Sequence, residues 1–213
     1  CRNNFFRGTT EAPIIRDGKK YFAKFYQIDD PYFQASQTYV NIFVDDKEKD
    51  IILPIIAVIE DNRIGCIITE YAELDLFSYA FETAEELSSE NKSIIITFLF
   101  NILEMLGKHG MLHLDMKPEN IVIRTSKANI SLPDLKLIDF ESLRAFNAEP
   151  KEFLGTALYA PPEYLNGGTI HETYDVFSVG ILIYHLITGT STEEERKYGI
   201  PLSFDNPKWD DFP

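Results

Sequence analysis

Apolar residues in the first third of the chain occur as short runs separated by polar turns. Asp17-Gly18 lies between two such runs, and this dipeptide is typical of tight hairpin turns. Two further β-rich runs, 51–59 and 64–69, flank a polar stretch at 60–63. The pattern predicts two β-hairpins and therefore a small antiparallel sheet.

The rest of the chain is helical where its apolar residues are periodic. Apolar side chains recur every three or four residues over 94–106, and 175–188 is apolar almost all round, as expected of a helix buried inside a domain. Gly189 is a suitable end for that second helix. A less regular pattern over 31–44 is compatible with one helix between the two hairpins.

Two β-like runs, 121–124 and 135–138, separate the long helices and are flanked by polar loops. The whole pattern indicates a small strand-rich lobe, a connector near Glu70–Asp75 and a larger, mainly helical lobe. We therefore expect an α+β protein.

Composition and charge narrow the class of function. Hydrophobic residues make up 45% of the 213 residues, which excludes a disordered chain. Twenty Lys and Arg against 34 Asp and Glu give a net charge of −14, so we expect no nucleic-acid partner and no anionic membrane surface, whereas a basic protein partner fits this charge. No apolar run reaches the ~18–20 residues of a membrane span. Two cysteines, Cys1 and Cys66, cannot form a disulfide framework, so we expect a cytoplasmic protein.

Polar residues with useful chemistry lie on loops beside the two β-like runs of the second lobe. Asp115, Lys117 and Asn120 precede the first run, and Asp139 follows the second. Asn120 and Asp139 are hard oxygen ligands that suit Mg²⁺. Asp115 and Lys117 supply an acceptor and a cation on one short loop. Phosphoryl transfer needs this combination of a metal, a carboxylate that orients a hydroxyl and a cation on the migrating group.

Five segments, in order along the chain, resemble the motifs of the eukaryotic protein kinase family. They are Tyr21-Phe22-Ala23-Lys24, the catalytic-loop segment 113–120 (HLDMKPEN), the metal-binding segment 135–141 (LKLIDFE), the end of the activation segment 155–163 (GTALYAPPE) and the helix start 175–180 (DVFSVG). The resemblance implies a two-lobed protein-kinase-like α+β fold in which a small antiparallel-sheet lobe with one helix sits on a mainly helical lobe.

The resemblance also implies lobe boundaries. One kinase-like catalytic domain would fill 1–213, with the N-terminal lobe at 1–71, the hinge at 72–76 and the C-terminal lobe at 77–213. We expect the last lobe to be incomplete at its C-terminal end, because the final helices of the family are not recognisable there.

The resemblance assigns a nucleotide site to residues of both lobes. Lys24 would bind the α- and β-phosphates of ATP, while the backbone of Glu70 and Ala72 would face the adenine, with Thr69 at the inner pocket. The ring would lie between Ala23 and Val122. Asp75 would bind the ribose, although an N-cap role in the following helix explains this residue equally well.

The resemblance assigns the chemistry to a second group of residues. Asp115 would accept a hydrogen bond from the substrate hydroxyl, Lys117 would contact the γ-phosphate, and Thr156 would hydrogen-bond to both. Asn120 and Asp139 would hold Mg²⁺. This combination is the serine/threonine kinase arrangement.

Several family features are missing or altered in the small lobe. The glycine-rich loop is reduced to Gly8. The glutamate that pairs with the lysine in the family is not evident. A helical register with Val40 and Val44 inward puts Gln37 in that position, and Glu48 is the alternative if the helix is displaced.

The large lobe departs from the family pattern as well. Leu114 replaces the arginine that receives a phosphate from the activation loop, and Ser142 is the only hydroxyl residue between Asp139 and Thr156. We therefore expect activity without activation-loop phosphorylation. Glu141 replaces a glycine, so we expect a segment locked in one state. Glu163 would bury its carboxylate against an arginine that the chain does not visibly supply.

The sequence thus supports one principal interpretation and leaves two others open. The principal interpretation is an ATP- and Mg²⁺-dependent serine/threonine protein kinase that phosphorylates protein hydroxyl groups. The first alternative is a catalytically weak or inactive kinase-like scaffold that binds a partner or nucleotide. The second is a small-molecule kinase of related fold, which the activation-segment motif disfavours.

Overall fold

The Asp17-Gly18 turn closes the first hairpin, as the sequence predicts. In the computed structural model, which describes residues 10–42, 48–82, 86–125, 129–149 and 153–189, strand β1 (Thr10–Arg16) pairs with β2 (Lys19–Gln27) in antiparallel orientation. The register places Arg16 opposite Lys19 and Glu11 opposite Lys24. The hairpin therefore brings a carboxylate beside the lysine identified in the sequence.

The second hairpin completes a four-stranded sheet. Strand β3 (Ile55–Glu60) pairs with β4 (Ile64–Glu70), and the strand order is β1-β2-β4-β3. Strand β2 is therefore central and pairs along both of its edges. The second hairpin is confirmed, but its first strand begins at Ile55, four residues later than the apolar run.

Helix α1 (Pro31–Ile42) connects the two hairpins and packs on one face of the sheet. Its buried side chains are Phe33, Ser36 and Tyr39. Phe33 lies directly over Gly65 of β4, where an added Cβ would come within 2.3 Å of the Phe33 ring. Glycine is thus required at 65 because the helix approaches the sheet too closely for a side chain.

The larger lobe is mainly helical. Its helices are α2 (Leu76–Phe81), α3 (Ser89–Lys108), α4 (Pro162–Leu165) and α5 (Tyr174–Thr188). Its short strands form the sheet β5-β7-β8, namely β5 (Leu74–Asp75), β7 (Ile121–Ile123) and β8 (Leu135–Leu137), and the pair β6 (Met111–Leu112) with β9 (Arg144–Ala145). Both long predicted helices and both predicted β-like runs are therefore confirmed.

One apolar core joins the helices of this lobe to the sheet β5-β7-β8. Leu99 and Ile102 of α3 pack in the same cluster as Leu135, Leu137 and the inner face of α5. Helix α5 is buried along most of its length, as its apolar sequence predicts, and Gly189 ends it with a φ of 71°. No helix in the described parts of the chain is long and apolar enough to cross a membrane.

We expect Gly65→Ala to lower the free energy of unfolding by about 1–3 kcal/mol, because the buried Phe33 ring would have to move. Gly180→Ala in α5 is the matched control, since an added Cβ there meets no atom of the described residues within 4 Å. The control should be neutral or stabilising by up to about 1 kcal/mol. Urea denaturation of both variants measures the difference, and equal effects would contradict the predicted approach of α1 to β4.

Candidate active site

A cleft of about 240 Å³ separates the sheet from the larger lobe. Side chains of both lobes line it, so the cleft depends on how the lobes pack together. The lining residues are Phe22, Lys24, Tyr26, Ser36, Tyr39, Ile52, Leu53, Ile67, Thr69, Glu70, Ala72, Glu73, Leu74, Asp75, Glu119, Val122, Leu137, Ile138, Asp139 and Phe140.

Lys24 reaches across this cleft from β2. Its Nζ lies 3.0 Å from Asp139 Oδ1, 3.3 Å from Glu141 Oε1 and 3.1 Å from Glu11 Oε1. Tyr26, two residues along the same strand, points to the same face. Its hydroxyl donates a hydrogen bond to Glu141 Oε1 at 3.0 Å. One ammonium group thus joins the N-terminal sheet to the segment that follows β8.

The charges around Lys24 determine its protonation. Burial alone would lower the pKa of Lys24, but the Asp139 and Glu141 carboxylates hold it well above its usual value. Burial would raise the pKa of Asp139, but Lys24 holds it below its usual value. The pKa of Glu141 is raised by burial and by Asp139. The Lys24–Asp139 pair is therefore charged at neutral pH.

Asp139 is held in an unusual backbone conformation. It has a φ of 64° and is the N-cap of the short 3-10 turn Phe140–Ser142, with only Ile138 between it and the end of β8 at Leu137. The Phe140 ring stacks on Tyr39 of α1, with centroids 4.1 Å apart, and contacts the edge of His113. These ring contacts fix the turn and hence the direction of the Asp139 carboxylate.

The catalytic-loop residues form a compact hydrogen-bonded group. Lys117 Nζ donates to Asp115 Oδ2 at 2.7 Å and to Thr156 Oγ1 at 3.2 Å, and Thr156 Oγ1 donates to Asp115 Oδ1 at 2.7 Å. Asn120 Nδ2 donates to the Asp115 backbone oxygen at 2.7 Å. The positive charge of Lys117 also contributes to the low pKa of Asp139, so this group lies close to the Lys24 cluster.

Asp175 holds the backbone of the catalytic loop with its carboxylate. It lies in the first turn of α5, and its Oδ2 and Oδ1 accept hydrogen bonds from the backbone amides of His113 and Leu114 at 2.6 and 3.0 Å. Burial raises the pKa of Asp175, an effect opposed by His113. The sequence motif marks Asp175 as a helix start, but only the fold shows that its carboxylate holds a loop 61 and 62 residues earlier in the chain.

Leu114 occupies an apolar site between the catalytic loop and the activation segment. It is 1% exposed, has a φ of 64° and clusters with Leu112, Leu154 and Tyr174. Gly155 passes so close that a Cβ there would lie 2.1 Å from the Leu114 carbonyl oxygen. The activation segment is therefore fastened to the loop by apolar packing at the position where the family has a charged arginine.

The residues assigned to the adenine and the ribose include four that lie along the cleft. Glu70, Ala72, Asp75 and Val122 all contribute to its lining. The Glu70 side chain is 18% exposed and pairs with Arg124 and Lys19. Asp75 Oδ1 caps α2 by accepting from the Ser78 amide at 2.8 Å. The N-cap interpretation of Asp75 is therefore confirmed, while its ribose-binding role stays a prediction.

Ala23 requires a correction, because strand geometry puts it on the wrong face for the adenine. Successive side chains of β2 alternate, so Phe22 and Lys24 face the cleft while Ala23 lies 1% exposed on the opposite face. Phe22 is the residue of β2 that faces the cleft from the sheet side. Counting back two positions from Lys24 would have identified it from the sequence.

The predicted partners of Lys24 on or after α1 were also wrong. Gln37 is not among the buried side chains of α1 and contacts Glu60 of β3 instead. The inward register is Phe33, Ser36 and Tyr39, and Val44 falls outside the described residues. Glu48 is 3% exposed but pairs with Lys108 and His109 at the end of α3.

The prediction that Glu163 is buried was wrong as well. Glu163 lies in the short helix α4 and is exposed. An exposed carboxylate is solvated by water and needs no arginine partner. Within the part of the chain that the structure describes, Glu163 is therefore not a buried, unpaired charge.

The side-chain oxygens of Asn120, before β7, and Asp139, after β8, fit a hard divalent cation. Asn120 directly precedes β7 and Asp139 closely follows β8, and these strands pair, with Asn120 accepting the Ile138 amide through its backbone oxygen at 2.9 Å. Three carboxylates around Lys24 leave an excess of negative charge. No group of three or more His, Cys, Asp and Glu side chains arranged for a metal occurs among the described residues. A cation here would thus be held by two side chains together with phosphate and water oxygens, which is the usual mode for Mg²⁺.

The two-lobed α+β architecture and its charged cleft define a protein-kinase-like molecule. A family model described as the protein kinase domain matches residues 38–199, which is more than half of the chain. The chain belongs to the protein kinase family, and its sheet lobe and helical lobe form the fold expected from the sequence resemblance.

Individual relatives agree with this assignment. Serine/threonine-protein kinase TIO of Arabidopsis thaliana is 32% identical over 133 residues, which cover 61% of this chain and 10% of that protein. Serine/threonine-protein kinase PKZ1 of Phytophthora infestans is 32% identical over 132 residues, covering 51% and 33%. An Aurora kinase of Dictyostelium discoideum is 32% identical over 145 residues, covering 65% and 35%. The chain spans between a tenth and about a third of the length of these relatives.

We expect Asp175→Ala to lower the free energy of unfolding by about 2–4 kcal/mol, because it leaves the buried amides of His113 and Leu114 without an acceptor. Urea denaturation monitored by circular dichroism measures this loss. Asp134→Ala serves as a control, because its hydrogen bonds to Ser131 lie on an exposed turn. A loss no larger than in the control would contradict the anchoring role.

Proposed function

We propose that the chain is the catalytic region of a serine/threonine protein kinase that transfers the γ-phosphoryl group of ATP to protein hydroxyl groups. The observation that carries the proposal is the proximity of two hydrogen-bonded groups. Lys24 pairs with Asp139 in the cleft, and the group of Asp115, Lys117 and Thr156 lies close enough for Lys117 to lower the pKa of Asp139. A chain kept only as a scaffold has no need of both groups in this arrangement.

Lys24 and the cleft walls would bind and orient the nucleotide. The ammonium group of Lys24 donates to the α- and β-phosphates, and the backbone of Glu70 and Ala72 binds the adenine edge. Phe22 and Val122 provide apolar surfaces for the ring. Mg²⁺ held by Asn120 and Asp139 would offset the phosphate charge.

Asp115, Lys117 and Thr156 would act on the transferred group. Lys117 donates to the γ-phosphate, where negative charge accumulates. Asp115 accepts the hydrogen bond of the incoming hydroxyl and orients it for attack. Thr156 donates to Asp115 Oδ1 and Lys117 donates to Oδ2, so the carboxylate is fixed by both neighbours. Positioning of this kind is the main contribution of a protein to phosphoryl transfer.

The substrate is proposed to be a protein with a basic segment around the acceptor hydroxyl. The net charge of −14 supports this choice, because it attracts positively charged partners over neutral or acidic ones. Attraction of this type acts mainly on the rate of encounter and weakens as salt is added.

A second candidate function is binding of nucleotide or a partner without turnover. The reduced glycine loop favours it, because a loop with Gly8 as its only glycine closes less readily over phosphates. The clustering of three carboxylates on Lys24 favours it too, since each competes with phosphate for the ammonium group. Saturable ATP binding with no transfer to any acceptor would select this candidate.

Radiolabelled γ-phosphoryl transfer to a basic protein tests the proposed kinase activity. We expect Asp115→Asn and Asp139→Asn each to reduce kcat by at least about 100-fold, because one removes the acceptor for the hydroxyl and the other a metal ligand. Asp17→Asn changes the same functional group on an exposed hairpin turn and should leave the rate unchanged. Equal rates for the wild type and both site variants would refute the assignment.

We expect activity without prior phosphorylation of the activation segment. Ser142 is only 3% exposed, and Leu114 offers no charge to a phosphate. A phosphatase-treated sample and Ser142→Ala should both retain the full transfer rate, with intact mass measured by mass spectrometry. Loss of activity on dephosphorylation, regained when Ser142 is phosphorylated again, would contradict this expectation.

A further inference from the structure

Helix α1 cannot supply a charged partner for Lys24. Its sequence, PYFQASQTYVNI, contains no acidic residue, and its buried positions nearest the cleft are Ser36 and Tyr39. A mostly buried ammonium group needs a fixed counter-charge, because a loss of pairing leaves it poorly solvated. The carboxylate that positions Lys24 must therefore come from another element.

Glu141 has the geometry and burial that this task requires. Its Oε1 lies 3.3 Å from Lys24 Nζ, and its side chain is 8% exposed. Glu11 also contacts Lys24, at 3.1 Å, but its side chain is 38% exposed and therefore more strongly screened by water. Asp139 lies closest, but the proposed function assigns this residue to the metal. Glu141 is thus the buried carboxylate that remains available to the lysine.

Three elements hold the Glu141 side chain in place. The Tyr26 hydroxyl donates to the same oxygen, Oε1, that faces Lys24, and Tyr26 is in turn hydrogen-bonded to Ser36 of α1. The neighbouring Phe140 stacks on Tyr39 of α1. The carboxylate is therefore fixed by β2, by α1 and by its own 3-10 turn. A side chain that merely replaced a glycine and pointed into solvent would not be held in this way.

We propose that Glu141 is the positioning residue that holds Lys24 for the nucleotide, in place of a carboxylate on helix α1. The counter-charge then comes from the turn that carries Asp139. One short segment therefore both positions the Lys24 side chain and supplies the proposed metal ligand. This assignment rests on the proposed function for its role in catalysis, whereas the Lys24–Glu141 pair itself can be tested without any nucleotide.

A double-mutant cycle on unfolding tests the pair. Lys24→Met keeps the length of the side chain, and Glu141→Gln keeps its shape, so both variants should fold. Lys24→Met should raise the unfolding equilibrium constant in both backgrounds. We expect the factor of this increase to be about tenfold smaller in the Glu141→Gln background than in the wild type. The matched cycle with Glu11→Gln should show a coupling of less than about twofold. Additive effects at Glu141, or stronger coupling at Glu11, would overturn the proposal.

Steady-state kinetics test the role in catalysis. Glu141→Gln should lower kcat/KM for ATP about ten- to hundredfold, since it removes a charge-assisted contact to Lys24, while Glu11→Gln should lower it less than about threefold. The Mg²⁺ concentration that gives half the maximal rate should be the same in both variants as in the wild type. If Glu141→Gln changed only the Mg²⁺ concentration needed for half-maximal rate, Glu141 would be an additional metal ligand. That result would overturn its positioning role.

The two tests separate the proposals from each other. If the wild type transfers no phosphate under any condition, the kinase activity fails, while the unfolding cycle still decides whether Glu141 pairs with Lys24. If transfer is efficient and the cycle shows no coupling, the kinase activity stands and the positioning role of Glu141 fails.

Discussion

The ion-pair cluster around Lys24 is the contact on which the cleft depends. It joins β2, one of the two central strands of the sheet, to the turn after β8, and through them the two lobes. A buried ammonium group is costly unless its charges and hydrogen bonds are satisfied, so the lobes cannot separate at this point without leaving both sides unpaired. The same group is the one that a phosphate would bind. Lobe packing and the proposed nucleotide binding thus involve the same charge.

A second set of contacts fixes the catalytic loop relative to that cluster. Asp175 holds the loop backbone from the buried helix α5, and the apolar environment of Leu114 fastens the activation segment to it. Tyr32 of α1 packs against both the Leu114 cluster and the Tyr26–Phe33 cluster of the small lobe. The residues proposed to act on the transferred group are consequently held by the Asp175 hydrogen bonds, by the apolar packing of Leu114 and by the partly buried Tyr32.

The sequence was sufficient for features that depend on local pattern. The turn at Asp17-Gly18, the long helices and the strands beside Asn120 and Asp139 all follow from periodicity and turn chemistry. The resemblance to the family also pointed to Asp115, Lys117 and Thr156, which the structure brings into one hydrogen-bonded group. These residues lie on loops whose ends are set by adjacent regular elements.

Features that depend on which face a side chain occupies were harder to predict. Ala23 and Phe22 differ by one position, and in a strand one position exchanges the two faces. The partner of Lys24 was sought on α1 because the family has it there, yet the carboxylates come from β1, from Asp139 and from Glu141. The replacement of a glycine by Glu141 was visible in the sequence as a departure. Its role required the three-dimensional contacts with Lys24 and Tyr26.

Calorimetric titration of ATP into the protein, with Mg²⁺ and with a chelator, tests most directly whether the Lys24 cleft is a nucleotide site. We predict one saturable site per chain, tighter with Mg²⁺ than without, and weakened at least about tenfold by Lys24→Met. Absence of saturable binding, or equal affinity in the wild type and Lys24→Met, would contradict the account.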